Sequence, residues 1–328
     1  MKQTYRFSID AIRTRIPVSL KRYVKYALSQ NRCFNFLYQR YLRDTIGLDE
    51  SPQRIPKSIT IETTNHCNAN CSMCPRDQMK REKGYMDRTL YEKIIEDCVK
   101  NNVQEVRLHN FGEPLLHPQI ISMIQFAKKH RLFASMFTNG SLLDVEKAQE
   151  IIESGLDELW VSIDSHQAEE YNTIRKGLDY HMLSSSLDSF IAAKKESGVR
   201  LPRLVLSHVL LNPHNRKAFL CAWKHRVDDI LFVFYHDWSG KNTLQNEAKL
   251  LRRWPCPLLW KRMYVLWNGD AIVCCRDING EVILGNLARE SLAAIYCGER
   301  YRYFRTVHLQ EAYERIPICK ECRSLVFY

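Results

Sequence analysis

The sequence predicts an α/β fold in which strand–helix units build a parallel sheet and a smaller α+β segment follows. Two observations carry this. From Ser58 to about residue 236, six short β-branched or apolar runs alternate with helical patterns. Beyond about Lys241 a Trp- and Pro-containing stretch, one hairpin pattern, a helix and a terminal CxxC replace the alternation. Crossovers between parallel strands are right-handed, so such units give a doubly wound sheet or a full or partial barrel.

The first strand is SITIET, and a helix follows from Asp87 to Asn101. QEVRLH leads to a helix from Pro118 to His130, and LFASMFT to one opening at Asp144. DELWVSID precedes a helix from His166, RLVLSHVLL precedes one near Asn212, and DDILFVFYH closes the series. In all these folds chemistry sits at the strand C-termini. Cys67, Gly112, Glu113, Asn139, Asp164, His208 and His236 fall at or just after predicted strand ends. Further on, YVLW and AIVCC flank Asn268-Gly269, a pair that supplies the positive φ angles of a tight hairpin turn.

With 328 residues, 45% hydrophobic and 26% charged, the chain can bury a full core and carries no sign of disorder or repeats. The net charge is +11, but residues 1–55 hold eleven Lys/Arg against four Asp/Glu, so most of the excess is local. That distribution does not support a nucleic-acid partner for the whole chain. Residues 1–56 read as a basic helical extension, with Ile16, Leu20, Tyr23, Val24 and Leu28 at helical spacing among Lys21, Arg22 and Lys25. It either docks on an anionic membrane surface or a partner, or packs outside the domain. No apolar run is long enough to span a bilayer, and the N-terminus lacks the apolar middle of a signal peptide. A cytoplasmic location is expected. There disulfides are disfavoured, and the twelve cysteines, where grouped, point to metal ligands or catalytic thiols.

TNHCNANCSMCPRD places Cys67, Cys71 and Cys74 as C-x3-C-x2-C after the first strand. Three thiolates on a four-iron cluster leave one iron open to an external ligand, which is a catalytic arrangement. A structural zinc site takes four protein ligands and would need a distant fourth such as His66.

This segment closely resembles the signature of the radical S-adenosylmethionine (SAM) superfamily, C-x3-C-x-Φ-C, with Met73 at the apolar Φ position. The resemblance implies a partial (β/α)6 barrel over residues 57–240 and a [4Fe-4S] cluster that cleaves SAM to a 5′-deoxyadenosyl radical. It also implies a low-potential electron donor such as flavodoxin or ferredoxin. FGEPLLHP, after the second strand, is similar to the family's GGE(P) motif. By that likeness Gly112, Glu113 and Pro114 contact the cofactor, Glu113 through its amino group, while Phe111 stands where a glycine is usual. FTNGSLL, VSIDS and YNTIRKG resemble further cofactor-lining segments: Asn139, Ser162 and Asp164, the last two near the ribose, and Arg175 near the carboxylate.

The C-terminal part holds Cys256, Cys274, Cys275, Cys297, Cys319 and Cys322, with Gly269 five residues before Cys274. This pattern resembles the SPASM/twitch appendage of the same superfamily, over residues 241–328. The resemblance implies one auxiliary [4Fe-4S] cluster on Cys256, Cys274, Cys319 and Cys322, saturated and suited to electron transfer. Four cysteines ending in CxxC also describe a zinc ribbon. Cys275, with Cys221 and Cys297, is a candidate hydrogen-donating thiol, whereas Cys98 reads as core. His208, His236 and Asp237 are candidates to deprotonate a substrate hydroxyl.

The implied function is hydrogen abstraction, with dehydrogenation of a carbinol in a carbohydrate-like small molecule as the leading reading. Epimerisation or modification of a ribosomal peptide is the alternative among enzymes. A zinc protein that binds nucleic acid or membrane is the alternative from another class.

Overall fold

The structure is a computed structural model that describes Leu48, residues 55–211, 215–234 and 255–320, and Cys322. The basic helical extension lies almost wholly outside the described residues, as do His236 and Asp237.

Six parallel strands form the expected series: β1 (Ser58–Ile61), β3 (Glu105–Leu108), β4 (Phe133–Thr138), β5 (Glu158–Ser162), β7 (Arg203–Leu210) and β8 (Asp229–Phe234). A two-residue strand, β2 (Asn70–Cys71), lies between the first two. The sheet does not stop at β1. Strand β9 (Arg262–Val265) runs parallel to it, and β10 (Asp270–Ile272) and β11 (Ile283–Asn286) continue antiparallel, giving the order β11-β10-β9-β1-β3-β4-β5-β7-β8. The barrel and the cysteine-rich C-terminal segment therefore share one nine-stranded sheet.

Strand alternation separates two faces. Ile59, Ile61, Val106, Leu108, Ala134, Met136, Leu159 and Val161 pack in the main core with residues of the covering helices. Trp160, Val205 and Leu231, with Phe137 and Val233, form a second cluster on the opposite face, which lines the concave lumen.

Helix α1 (Arg88–Lys100) starts where Asp87 caps it, its carboxylate accepting from Thr89 N at 2.8 Å and Leu90 N at 3.3 Å. It buries Tyr91, Ile94, Ile95 and Cys98, so Cys98 is core. α2 (Ile120–Lys129) follows, and α3 (Val145–Glu153) is capped by Asp144. The helix expected from His166 is instead three elements: α4 (Ala168–Ile174), the two-residue strand β6 (Arg175–Lys176) and α5 (Tyr180–Glu196), capped by Asp179. Arg175 thus leaves the helix and pairs with Cys71 of β2, a contact between distant segments that local pattern does not encode.

α6 (Arg216–Trp223) covers the far end of the sheet, and α7 (Leu258–Lys261), α8 (Leu292–Cys297), α9 (Glu299–Leu309) and α10 (Pro317–Lys320) complete the C-terminal part. The β9–β10 hairpin turns differently from expectation. Gly269 N donates to Leu266 O and Leu266 N to Asp270 O, both at 2.9 Å, and of the Asn-Gly pair only Gly269 has a positive φ, +89°. This is a three-residue loop with glycine at the left-handed position. Among the described residues no helix is long and apolar enough to cross a membrane.

Candidate functional site

The loop after β1 carries the first three cysteines, all half-buried. Cys71 lies in β2, and Cys74 N donates to Cys71 O at 3.0 Å, so a tight turn joins them; the thiol of Cys67 is near enough to raise the pKa of both, and that of Cys71 to raise the pKa of Cys74. Arg76 gathers this loop: its guanidinium donates to Cys67 O at 3.3 Å, Ala69 O at 3.4 Å and Asn65 O at 3.2 Å. Met73 packs with Ile174, Cys71, Val209 and Leu211, so the Φ residue walls the site with apolar surface. Burial pushes the Cys71 thiol up, and pushes that of Cys74 up to about 11.

Glu113 sits at the next strand end, 2% exposed, and is held by three donors. Thr138 Oγ1 donates at 2.6 Å and Leu115 N at 3.1 Å to one oxygen, and Asn139 N at 2.6 Å to the other. Burial pushes its carboxyl up, against these bonds. Asn139 Nδ2 donates to Asn68 Oδ1 at 2.9 Å, which ties the cysteine loop to the end of β4. Gly112 makes the approach possible. A Cβ there would lie 2.0 Å from Thr64 O and 2.8 Å from His66 O, so its close approach is to the cysteine loop's own backbone. Pro114 opens a short 3-10 turn for which Glu113 is the cap.

Asp164 and Arg175 meet in a buried ion pair at 2.6 Å. Asp164 also accepts from Val209 N at 2.7 Å, and Arg175 Nη1 lies 3.8 Å from Cys71 Sγ. Ser162 stands at the end of β5, beside Ser207. One end of the lumen thus collects the three cysteines, Glu113, Asn139, Ser162, Asp164 and Arg175.

His208 is not part of this set. It alternates with Leu204 and Leu206 on the helix-facing side of β7, and its ring packs on Phe219 at 4.3 Å and Phe232 at 5.3 Å. Burial pulls its pKa down, so it is a neutral core imidazole, and its position near a strand end did not reveal which face it takes.

The second cysteine set surrounds Arg276, which is 5% exposed. Its Nη1 donates to Cys322 Sγ at 3.4 Å and its backbone N to Cys274 Sγ at 3.5 Å. Cys322 N donates to Cys319 O at 3.1 Å, and Cys256 N to His308 Nδ1 at 3.1 Å. Cys256 and Cys275 pack on Leu258, Tyr264, Leu266 and Ile272. Cys275 hydrogen bonds with Cys274 and Tyr264, contacts that lower its pKa. Cys221 and Cys297 are exposed.

Sequence reading missed Arg76 and Arg276, although each stands two residues after a cysteine, and in each case its backbone N–H donates to that cysteine's sulfur. It also missed Arg81. This arginine grips Glu62 with both terminal nitrogens at 2.9 and 3.0 Å while its Nε donates to Ile278 O at 2.7 Å. The strap following Cys74 is thereby fastened to the loop following Cys275.

Both thiol sets suit iron–sulfur ligation: they are soft, half-buried donors, each set beside a guanidinium, Arg175 or Arg276, that offsets thiolate charge. Comparison with known proteins agrees. The family model of the radical SAM superfamily matches residues 61–218, and that of the SPASM iron-sulfur cluster-binding domain matches residues 256–323. The chain belongs to the radical SAM superfamily.

This radical SAM enzyme is 24% identical over 316 residues to the tungsten-containing aldehyde ferredoxin oxidoreductase cofactor-modifying protein of Pyrococcus furiosus, covering 81% of this chain and 87% of that one. It is 23% identical over 273 residues to the S-adenosyl-L-methionine-dependent 2-deoxy-scyllo-inosamine dehydrogenase of Niallia circulans, covering 81% and 92%. In fold it is similar to BtrN in complex with AdoMet and 2-DOIA, with a TM-score of 0.62, 19% identity and coverage of 84% and 95%. It is also similar to Streptococcus suis SuiB bound to precursor peptide SuiA, with a TM-score of 0.65, 13% identity and coverage of 81% and 70%. The cofactors of this radical SAM enzyme are a SAM-binding [4Fe-4S] cluster, an auxiliary iron–sulfur cluster and SAM.

Proposed function

We propose that the enzyme oxidises a carbinol of a sugar, aminocyclitol or similar polar metabolite to a ketone. The carbinol carbon loses a hydrogen atom, its hydroxyl loses a proton, and one further electron leaves. The observation that carries this reading is the second cysteine set, which adjoins the lumen-facing side of the sheet through Tyr264 and Cys275. When bound, SAM and the first cluster supply the abstracting radical, and the auxiliary cluster supplies an acceptor for the remaining electron. Similarity to the 2-deoxy-scyllo-inosamine dehydrogenase supports the substrate class.

In this reading Cys67, Cys71 and Cys74 hold the SAM cluster, and Cys256, Cys274, Cys319 and Cys322 the auxiliary one. Glu113 and Asn139 receive the amino end of SAM, and Ser162, Asp164 and Arg175 line its ribose and carboxylate. Met73 and Ile174 keep water from the cysteine loop. Cys275, on the Tyr264 side of the second set, favours a second reading in which a thiol returns hydrogen and the product is an epimer.

The test is anaerobic reconstitution with iron, sulfide and reductant, followed by a panel of aminocyclitols and sugars. Dehydrogenation gives 5′-deoxyadenosine with a product two mass units lighter. Epimerisation gives unchanged mass and uptake of solvent deuterium. Continued 5′-deoxyadenosine formation by Cys67→Ala would overturn the assignment of the first site.

A further inference from the structure

The strap between Cys74 and helix α1, residues 79–86, is hydrogen-bonded to both cysteine-bearing regions. Toward the first site, Asn65, fully buried and two residues before Cys67, donates through Nδ2 to Glu82 O at 2.8 Å and accepts at Oδ1 from Gly84 N at 2.9 Å. Thr64 Oγ1 donates to Gly84 O at 2.8 Å, and Met86 N to Thr63 O at 2.7 Å. Toward the second site, Lys80 N donates to Asn279 Oδ1 at 2.8 Å, Arg81 Nε to Ile278 O at 2.7 Å, and Trp267 Nε1 to Glu82 O at 3.3 Å. The Trp267 ring packs directly on Gly84, where a Cβ would lie 2.5 Å from its Cη2.

These contacts converge on Glu62. Its fully buried carboxylate takes both terminal nitrogens of Arg81 and accepts from Trp267 N at 3.4 Å and from Phe111 N. Phe111 immediately precedes Gly112 and Glu113, so one carboxylate ties the end of β1 to the strap, the Gly-Glu-Pro loop and the β9–β10 turn. On the other side, Ile278 N donates to Arg276 O at 2.9 Å and Asp277 N to Cys274 O at 3.1 Å, while Arg276 contacts Cys274 and Cys322. A run of hydrogen bonds therefore leads from Cys274 through Ile278, Arg81 and Glu62 to the backbone beside Glu113. Its members are buried or half-buried polar groups that are costly to leave unpaired, so the segments order together.

We propose that Arg81 is a positioning residue that couples the two cluster sites. Filling the auxiliary site fixes the 274–279 loop, that loop fixes the strap, and the strap holds the cysteine loop and the Gly-Glu-Pro loop in the arrangement that receives SAM. Order at one site lowers the ordering cost at the other, and by linkage the effect on binding runs in both directions. The inference rests on the assignment of Cys319 and Cys322 to the auxiliary cluster.

The test is calorimetric titration of the anaerobic, oxidised, reconstituted enzyme with SAM in a mutant cycle: wild type, Cys319→Ala/Cys322→Ala, Arg81→Lys, and all three substitutions together. Arg81→Lys keeps a cation beside Glu62 but has no Nε–H for Ile278 O, so it breaks the link without stranding a buried carboxylate. Removing the auxiliary cluster is expected to weaken SAM binding about fivefold or more with Arg81 in place, and to have little effect in the Arg81→Lys background. Asn279→Ala, which cuts the neighbouring tie to Lys80 N from the auxiliary side, should shrink the difference in the same direction. Two results overturn the proposal: SAM binds equally well with and without the auxiliary cluster when Arg81 is present, or the difference is as large in both the Arg81→Lys and Asn279→Ala backgrounds. Iron content tests the ligand assignment separately, because Cys319→Ala/Cys322→Ala loses the auxiliary share of iron only if those cysteines hold it.

Discussion

Arg276 donates through Nη1 to Cys322 Sγ at 3.4 Å, a charged hydrogen bond placed directly on one thiol of the second site. A cation and donor at sulfur stabilises the more negative, reduced state of an iron–sulfur group. Arg276→Met should therefore lower the auxiliary reduction potential by on the order of 60 mV, the one-electron equivalent of about 1.5 kcal/mol. Redox titration of the Cys67/Cys71/Cys74→Ala background isolates this signal. An unchanged potential at full iron content would show that the contact has no electronic role.

Gly112 has no room for a side chain. The nearest atom to its hypothetical Cβ is a backbone oxygen, Thr64 O at 2.0 Å, which cannot rotate away. Gly112→Ala is expected to cost about 3 kcal/mol or more and to displace the cysteine loop. Gly198→Ala, with φ +67° and open space around it, should cost about 1 kcal/mol. Chemical denaturation of the two variants compares them.

The Glu62–Arg81 pair is buried, with side-chain exposures of 0% and 11%. Arg81→Met leaves a carboxylate without its cation in a position where burial already pushes its pKa up, at a cost of about 3–5 kcal/mol. Adding Glu62→Gln should recover much of that loss. A double-mutant cycle in urea measures the coupling, and an additive result would mean the pair is not a unit.

Acid should destabilise the protein through its buried imidazoles. Burial, with Arg107 and Arg262 alongside, pulls the His109 pKa down to about 3, whereas the unfolded chain titrates near 6.5. The unfolded state then binds more protons between those values, so this stability is complete above about pH 6.5 and declines as pH falls toward 3. His117 and His208 are shifted the same way. Thermal midpoints at pH 7.5 and 5.5 should differ by several degrees, and His109→Phe, which preserves the ring contact with Phe137, should narrow the gap. An equal gap in that variant would remove His109 from the account.

Local elements were legible because their determinants are local. Asp87 and Asp144 cap helices wherever an aspartate precedes an apolar periodic run, and the six parallel strands follow from β-branched runs between them. Arg175 and His208 were legible only in part. A helical pattern through YNTIRKG does not show that residue 175 pairs across to Cys71, and a histidine near a strand end does not declare its face.

What the sequence alone determined is the donor inventory: C-x3-C-x2-C, Gly-Glu-Pro, and four further cysteines, whose covalent spacing limits the chemistry they can perform. Tertiary structure decided which of these groups share a space. The pairing of β9 with β1 brings the second cysteine set onto the barrel's own sheet, and Arg81 fastens the strap after Cys74 to the loop after Cys275. Such juxtapositions depend on packing and hydrogen bonding between segments far apart in the chain, which no spacing along the chain specifies.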